Sequence, residues 1–196
     1  MKLVLASKNQ KKLLEMNDIL SHLGVEVCSE AEVGVDLEVE ETGTTFEENS
    51  LLKAKAVMEA SGLPAIADDS GLCVDCLNGA PGVYSARYGG EGLDDAARYR
   101  LLLDNMRGQM TRTAKFVSVI TCCFPNGDVL SARGECPGTV AYAPMGEGGF
   151  GYDPVFFVPE LKKTFAQMTA GEKNAISHRG KALEAFKVKL EEYLKK

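Results

Sequence analysis

The sequence predicts an α/β fold. Strand-like and helix-like patterns alternate early in the chain, strand-like segments fill its middle, and a helix closes it. The 196 residues suffice for one core, or for two lobes sharing a cleft. No linker, internal repeat or low-complexity tract interrupts them, so residues 1–196 read as a single domain.

Lys2-Leu3-Val4-Leu5-Ala6 reads as a buried strand, and Ser7 to Lys12 forms a polar loop before a periodic run starts at Leu13. Leu13, Met16, Leu20 and Leu23 recur at helical spacing, Gly24 suits the end of that helix, and Val25 to Cys28 looks extended. Thr45 followed by Glu48 resembles a capping box for a helix running to about Ser61, ended by Gly62 and Pro64. The short apolar run Pro64 to Ala67 gives way at Asp68-Asp69 to a Ser70-Gly71 turn, and Leu72 to Leu77 reads as a strand before the turn signal Asn78-Gly79. Asp94 to Met106 is helical. Thr113 to Phe124 and Val129 to Arg133 flank the turn Pro125 to Asp128, and Thr139 to Ala143 can add a further strand. Leu183, Phe186, Leu190 and Leu194 lie at offsets that form one core stripe on the closing helix.

A net charge of −6 disfavours a nucleic-acid polymer as partner, because that affinity rests on a basic face neutralising phosphates. No run approaches the roughly 20 apolar residues that span a bilayer, and the apolar N-terminus stops at Ser7, short of a signal-peptide core. No membrane association is expected, and the cytoplasm is the expected location. Cys73-Val74-Asp75-Cys76 invites a metal reading, but adjacent Cys122 and Cys123 do not make a second ligand pair. Free thiols in a reducing compartment explain the cysteines more simply.

Four segments carry the chemistry. Asp68 and Asp69 can hold a divalent cation and take a proton from water, or they can merely form an Asx turn or a cap. Ser7-Lys8-Asn9-Gln10-Lys11-Lys12 brings three lysines to a helix start, where backbone N–H groups attract anions, although it lacks the Walker pattern and such lysines are commonly solvated. In Gly146 to Pro154, four glycines let the backbone approach a ligand, and Phe150 and Tyr152 either stack on a planar base or pack into the core. Glu172 to Gly180 is a cationic cluster at the start of the last helix.

With these pieces in order, the chain resembles the inosine triphosphate pyrophosphatase family of house-cleaning nucleotide hydrolases. The motifs are Ser7 to Lys12, Glu40-Glu41-Thr42-Gly43-Thr44-Thr45-Phe46, Ala67-Asp68-Asp69-Ser70-Gly71-Leu72, Gly79 to Arg87, Gly148 to Pro154 and Ala175-Ile176-Ser177-His178-Arg179. They span almost the whole chain. The family's first motif usually reads Thr-Gly-Asn-x-x-Lys, so Ser7 and Lys8 depart from it while Asn9 and Lys12 match, and without glycine position 8 should avoid positive φ.

The resemblance implies a mixed, elongated central sheet with flanking helices, two lobes around a nucleotide cleft, and a homodimer. It implies hydrolysis of ITP, dITP and XTP to the monophosphate and pyrophosphate, with magnesium (Mg2+) as cofactor. Glu40 and Asp69 are expected at the metal, with Asp69 as the base and Asp68 or Glu41 able to share the work. Ser7, Lys8, Asn9, Gln10, Lys11, Lys12, Lys53 and Ser70 are expected on the substrate's phosphate side. Phe150, Gly151, Tyr152, Asp153, Lys173, His178 and Arg179 form the expected base pocket. Two other readings are a nucleotide sensor without turnover, which has no use for Asp69 as a base, and a Maf-type pyrophosphatase. His178-Arg179 and the run Phe150 to Asp153 weigh against the latter.

Overall fold

The computed structural model describes all 196 residues. Seven strands form one sheet: β1 (Lys2–Leu5), β2 (Glu26–Ser29), β3 (Ala65–Val74), β4 (Thr113–Cys123), β5 (Val129–Val140), β6 (Phe156–Val158) and β7 (Lys163–Thr164). Five α-helices accompany them: α1 (Gln10–Leu20), α2 (Phe46–Ser61), α3 (Asp95–Asn105), α4 (Ala170–Ile176) and α5 (His178–Leu194). The strand order is β2-β1-β3-β4-β5-β6-β7. The sheet is mixed, as expected, since β1 pairs in parallel with β2 and β3 while β6 pairs antiparallel with β5 and β7.

Chain contacts divide the molecule into two compact units. The first comprises Met1–Asp69, Ser118–Gly134 and Lys181–Lys196. Its main core includes Leu3, Leu5, Met16, Leu20, Ile66, Ile120, Leu183, Phe186 and Leu190. The stripe on α5 is therefore real for three of its four members, but Leu194 is 42% exposed in the last turn. Helix α1 begins at Gln10 because the Asn9 side chain accepts from the Lys11 and Lys12 backbone N–H groups. The Thr45–Glu48 capping box opens α2, and Gly62 closes it in the left-handed region.

The second unit comprises Ser70–Val117 and Glu135–Gly180. Leu72, Leu102, Met106, Phe116, Phe156 and Phe165 are among its core residues, with the rings of Phe116 and Phe156 edge-on at 4.6 Å. Asp94 caps α3 by accepting from the Ala97 N–H at 2.7 Å.

Four local expectations change. Ser70-Gly71 does not turn: β3 runs unbroken from Ala65 to Val74, the Leu72 N–H is taken by Ser85 Oγ at 2.9 Å, and Asp75–Leu77 is a 3-10 turn, not a strand. Turn-forming residue types here yield to burial, since only Ser70 and Cys73 of the ten strand residues are not buried. Thr139 to Ala143 makes no separate strand, because β5 extends to Val140. The closing helical region is broken at Ser177, whose extended backbone separates α4 from α5. All six cysteines are free, four of them buried.

Candidate active site

In the first unit, the loop after β1 leads into α1 and places Ser7, Lys8 and Asn9 in succession. Ser7 and Lys8 line a cavity of about 550 Å3 together with Glu30, Glu38, Glu40 and Lys53. Lys8 is otherwise tied to Asp36 at 2.9 Å in an exposed ion pair, an arrangement that contributes little in water. Asn9 spends its oxygen on capping α1, and Gln10 and Lys11 are exposed.

Lys12 and Lys53 are held quite differently. Lys12 Nζ lies 2.8 Å from Asp68 Oδ1, and the Asp68 carboxylate is 1% exposed. Lys53 Nζ lies 2.6 Å from Glu41 Oε1 and 3.7 Å from Asp69 Oδ1, and donates to the Asp68 backbone carbonyl at 2.8 Å. The adjacent aspartates thus receive one lysine from α1 and one from α2, which explains why both acids can be buried on a strand. Lys53 is not a solvated helix charge. It lies seven residues after Phe46 and four before Val57, on the buried stripe that also carries Asn49, Ser50 and Ala54.

Asp69 is 7% exposed, and its Oδ2 has no hydrogen-bond partner. Burial pushes its carboxyl up from the ordinary 3.8 to about 6; Lys53 and the Asn49 side chain pull it down, while Glu41 and Asp68 add to the rise. Such a group changes protonation near neutrality. The Asn49 amide is likewise buried, its oxygen accepting from the Gly43 N–H at 2.8 Å.

In the second unit, the segment Gly149 to Asp153 is a tight polar turn. Asp153 is buried and its Oδ2 accepts from the Phe150 N–H at 3.0 Å and from Lys173 Nζ at 2.6 Å. Gly149 is required there, since a Cβ at that position would stand 2.1 Å from Asp153 Oδ2. The Gly151 N–H donates to Asp95 Oδ2 at 2.8 Å. Phe150 is 52% exposed, with Lys173 Nζ 4.8 Å from its ring centroid. Tyr152 takes the core alternative: its ring is buried, and its hydroxyl donates to the Ser85 carbonyl at 2.7 Å. Burial pushes that phenol up.

His178 opens α5 and stacks on Phe116 with centroids 4.7 Å apart and planes at 12°. Lys173 also lies over the Phe165 ring, so Phe150, Lys173, Phe165, Phe116 and His178 form one continuous cation and aromatic cluster. Arg179 follows, half-buried. The corner between α4 and α5 needs Gly180, where a Cβ would lie 2.2 Å from the Asn174 carbonyl. Ser70 is half-buried on β3 beside Asp69.

Within the first unit the structure brings Lys12, Lys53, Asp68, Asp69 and Glu41 into one network around the two buried aspartates, with Glu40 lining the cavity that Lys53 also lines. Gln10 and Lys11 stay outside it. Sequence reasoning missed Asn49, Ser85, Asp95, Phe116 and Phe165. Asn49 had a signal in its place on the inward stripe of α2, and Ser85 lies within the motif Gly79 to Arg87; Asp95, Phe116 and Phe165 are partners distant in sequence and had none.

The model of the Ham1 family matches residues 3–189. A dITP/XTP pyrophosphatase of Exiguobacterium is 46% identical over 195 residues, covering 100% of each chain. That of Desulforamulus reducens is 51% identical over 186 residues, covering 94% of this chain and 92% of its own. Among solved structures, a HAM1 protein from Coxiella burnetii superposes with a TM-score of 0.94 at 43% identity, covering 98% of this chain and 99% of its own. The Staphylococcus aureus Ham1 protein gives 0.93 at 42% identity, covering 98% and 100%.

Proposed function

We propose that this chain, which belongs to the Ham1 family, is a nucleoside triphosphate pyrophosphatase that removes non-standard purine nucleotides from the nucleotide pool. ITP, dITP and XTP are its substrates, and the products are the monophosphate and pyrophosphate. Residues 1–196 act as one catalytic domain, working as a homodimer in the cytoplasm. No helix is long and apolar enough to cross a membrane. The observation that carries the reading is the buried pair of aspartates, both in reach of lysines, with one Asp69 oxygen left without a partner.

Magnesium fits this site. The buried Asp69 oxygen without a hydrogen-bond partner is a hard donor of the kind magnesium takes, and magnesium commonly binds through one or two carboxylates plus substrate phosphates. Glu40 and Asp69 would hold it, and when bound it supplies positive charge against the phosphate oxygens. Lys12 and Lys53 exchange their contacts with Asp68 and Glu41 for phosphate oxygens, joined by Ser7, Lys8, Asn9, Gln10, Lys11 and Ser70. Asp69 orients the attacking water and takes its proton. The water oxygen bonds to the α phosphorus, the bridge to the β phosphate breaks, and pyrophosphate leaves. Asp68 or Glu41 can take over part of the base's task, because a carboxylate on a metal is a weakened base.

On the purine side, Phe150 presents an exposed ring for stacking, and Gly151, Tyr152 and Asp153 shape the turn beneath it. Lys173, His178 and Arg179 are donors suited to a 6-oxo group, whereas the 6-amino group of adenine would turn hydrogens toward them. Guanine shares the 6-oxo group, so its 2-amino substituent must be what is refused.

The test is a nucleotide panel with purified protein and magnesium, in which pyrophosphate and orthophosphate are measured separately. Pyrophosphate with inosine monophosphate is expected; orthophosphate with intact inosine diphosphate overturns the cleavage position. His178→Ala and Arg179→Ala are each expected to raise KM for ITP and XTP, a loss of about 0.5–3 kcal/mol of binding, more than they affect residual ATP hydrolysis. An unchanged ITP-to-ATP ratio in both variants removes these residues from the base pocket.

A further inference from the structure

We propose that the concavity along α3 in the second unit is a separate binding site for a small phosphate-bearing anion. It is an open depression of about 460 Å3, and its lining includes Arg100, Leu103, Asp104, Arg107, Arg112 and Tyr142. None of these belongs to the candidate active site. Three guanidinium groups against one carboxylate give a local excess of positive charge in a chain whose net charge is −6.

The three arginines are held differently. Arg107 is neutralised by Asp104 at 2.8 Å in an exposed pair, and Arg100 has no ion-pair partner. Arg112 is locked: Nε donates to the Val140 carbonyl at 2.7 Å, Nη2 donates to the Ala141 carbonyl at 2.9 Å, and the guanidinium lies 4.1 Å from the centroid of the Tyr142 ring. These restraints fix its plane and one edge, and neither hydrogen bond uses Nη1. A guanidinium ordered in advance loses little freedom on binding, and its fork matches phosphate oxygens.

Simple neutralisation of the α3 carboxyl end accounts for Arg107 alone, which follows the last turn. Arg100 sits inside the helix, and Arg112 precedes β4 and is tied to the end of β5. Two cations in excess suit a phosphate dianion better than a single carboxylate. Tyr142 is 77% exposed, so the ring face away from Arg112 is open to a planar base.

The phosphate can come from a nucleoside monophosphate or from free pyrophosphate, and titration calorimetry of the full chain with each, at low ionic strength, separates them. Adenosine monophosphate is the informative nucleotide, because the proposed purine pocket disfavours adenine. Arg100→Ala/Arg107→Ala is expected to weaken binding by about tenfold or more while ITP turnover is retained, and Arg112→Lys to weaken it despite keeping the charge. Loss confined to one ligand identifies the source. Independently of any variant, phenylglyoxal modification of Arg100 and Arg107 in the unaltered protein, read by peptide mass, should slow in the presence of the bound ligand. Isotherms unchanged by the substitutions, or arginines unprotected by both ligands, overturn the site.

Discussion

Asp69→Asn should abolish most turnover and, in the same molecule, raise the stability of the metal-free protein at neutral and alkaline pH. The amide keeps the carboxylate's shape but neither accepts a proton nor binds a metal strongly, and loss of a general base typically lowers rates about 10²- to 10⁴-fold. The stability change follows from the buried carboxylate, displaced from its ordinary 3.8 to about 6. Because the folded value is raised, its contribution to stability is fully present below about 4 and is lost as pH rises through about 6. At pH 8 the full difference applies, about 3 kcal/mol for a displacement of that size. Asparagine carries no charge to desolvate, so the variant should melt higher than the unaltered protein at pH 8 and close to it at pH 4. Thermal melts with chelator present, run beside steady-state assays with magnesium, check both halves. Near-normal turnover at saturating magnesium reassigns the base to Asp68 or Glu41. Equal melting temperatures at both pH values would remove the charge-burial account.

The α/β class and most element positions were legible because local chemistry and tertiary environment agree. Asn9, Thr45 with Glu48, and Gly62 punctuate helices where their side chains or backbone freedom suit such ends. The reading failed where burial overrode residue type: Asp-Asp-Ser-Gly has turn chemistry, yet it sits in an unbroken strand, because Lys12 and Lys53 compensate the acids and Ser85 satisfies Leu72. Those partners are remote in sequence, so no local window contains them. The acids and Lys12 stand in motifs and Lys53 was implied by the resemblance, but their pairing could not be named: nothing in the spacing says that Lys12 finds Asp68 while Lys53 finds Glu41 and Asp69. Tyr152 shows the same limit. An aromatic in a glycine-rich turn can face ligand or core, and only the distant Ser85 carbonyl decides for the core.

Lys53→Met should be the most damaging substitution on the lysine side, with a pH signature that distinguishes it from simple loss of packing. Methionine keeps much of the stem's apolar contact but removes the ammonium that stands 2.6 Å from Glu41 and 3.7 Å from Asp69 and that donates to the Asp68 carbonyl. Removing one partner of a buried pair leaves the other charge uncompensated, which typically destabilises by about 3 kcal/mol or more; Glu41, 23% exposed, recovers part of this from solvent. Lys53 is the main influence holding the Asp69 carboxyl down, and Glu41 and Asp68 push it up, so without the lysine Asp69 should take its proton at still higher pH. Protonation relieves the repulsion. The stability deficit should therefore be smaller at pH 5 and widen toward pH 8, opposite to the gain expected for Asp69→Asn. Turnover should also fall steeply, since a triphosphate bound there loses a cation that only a desolvated lysine supplies at full strength. The double variant Lys53→Met/Asp69→Asn separates the two roles. If Lys53 stabilises the fold chiefly by compensating Asp69, neutralising that acid should raise the pH 8 melting temperature by more in the Lys53→Met background than in the unaltered protein, while activity stays lost. A pH 8 gain from Asp69→Asn that is no larger in the Lys53→Met background than in the unaltered protein would show instead that the bond to the Asp68 carbonyl and the contact with Glu41 are what α2 needs from this lysine.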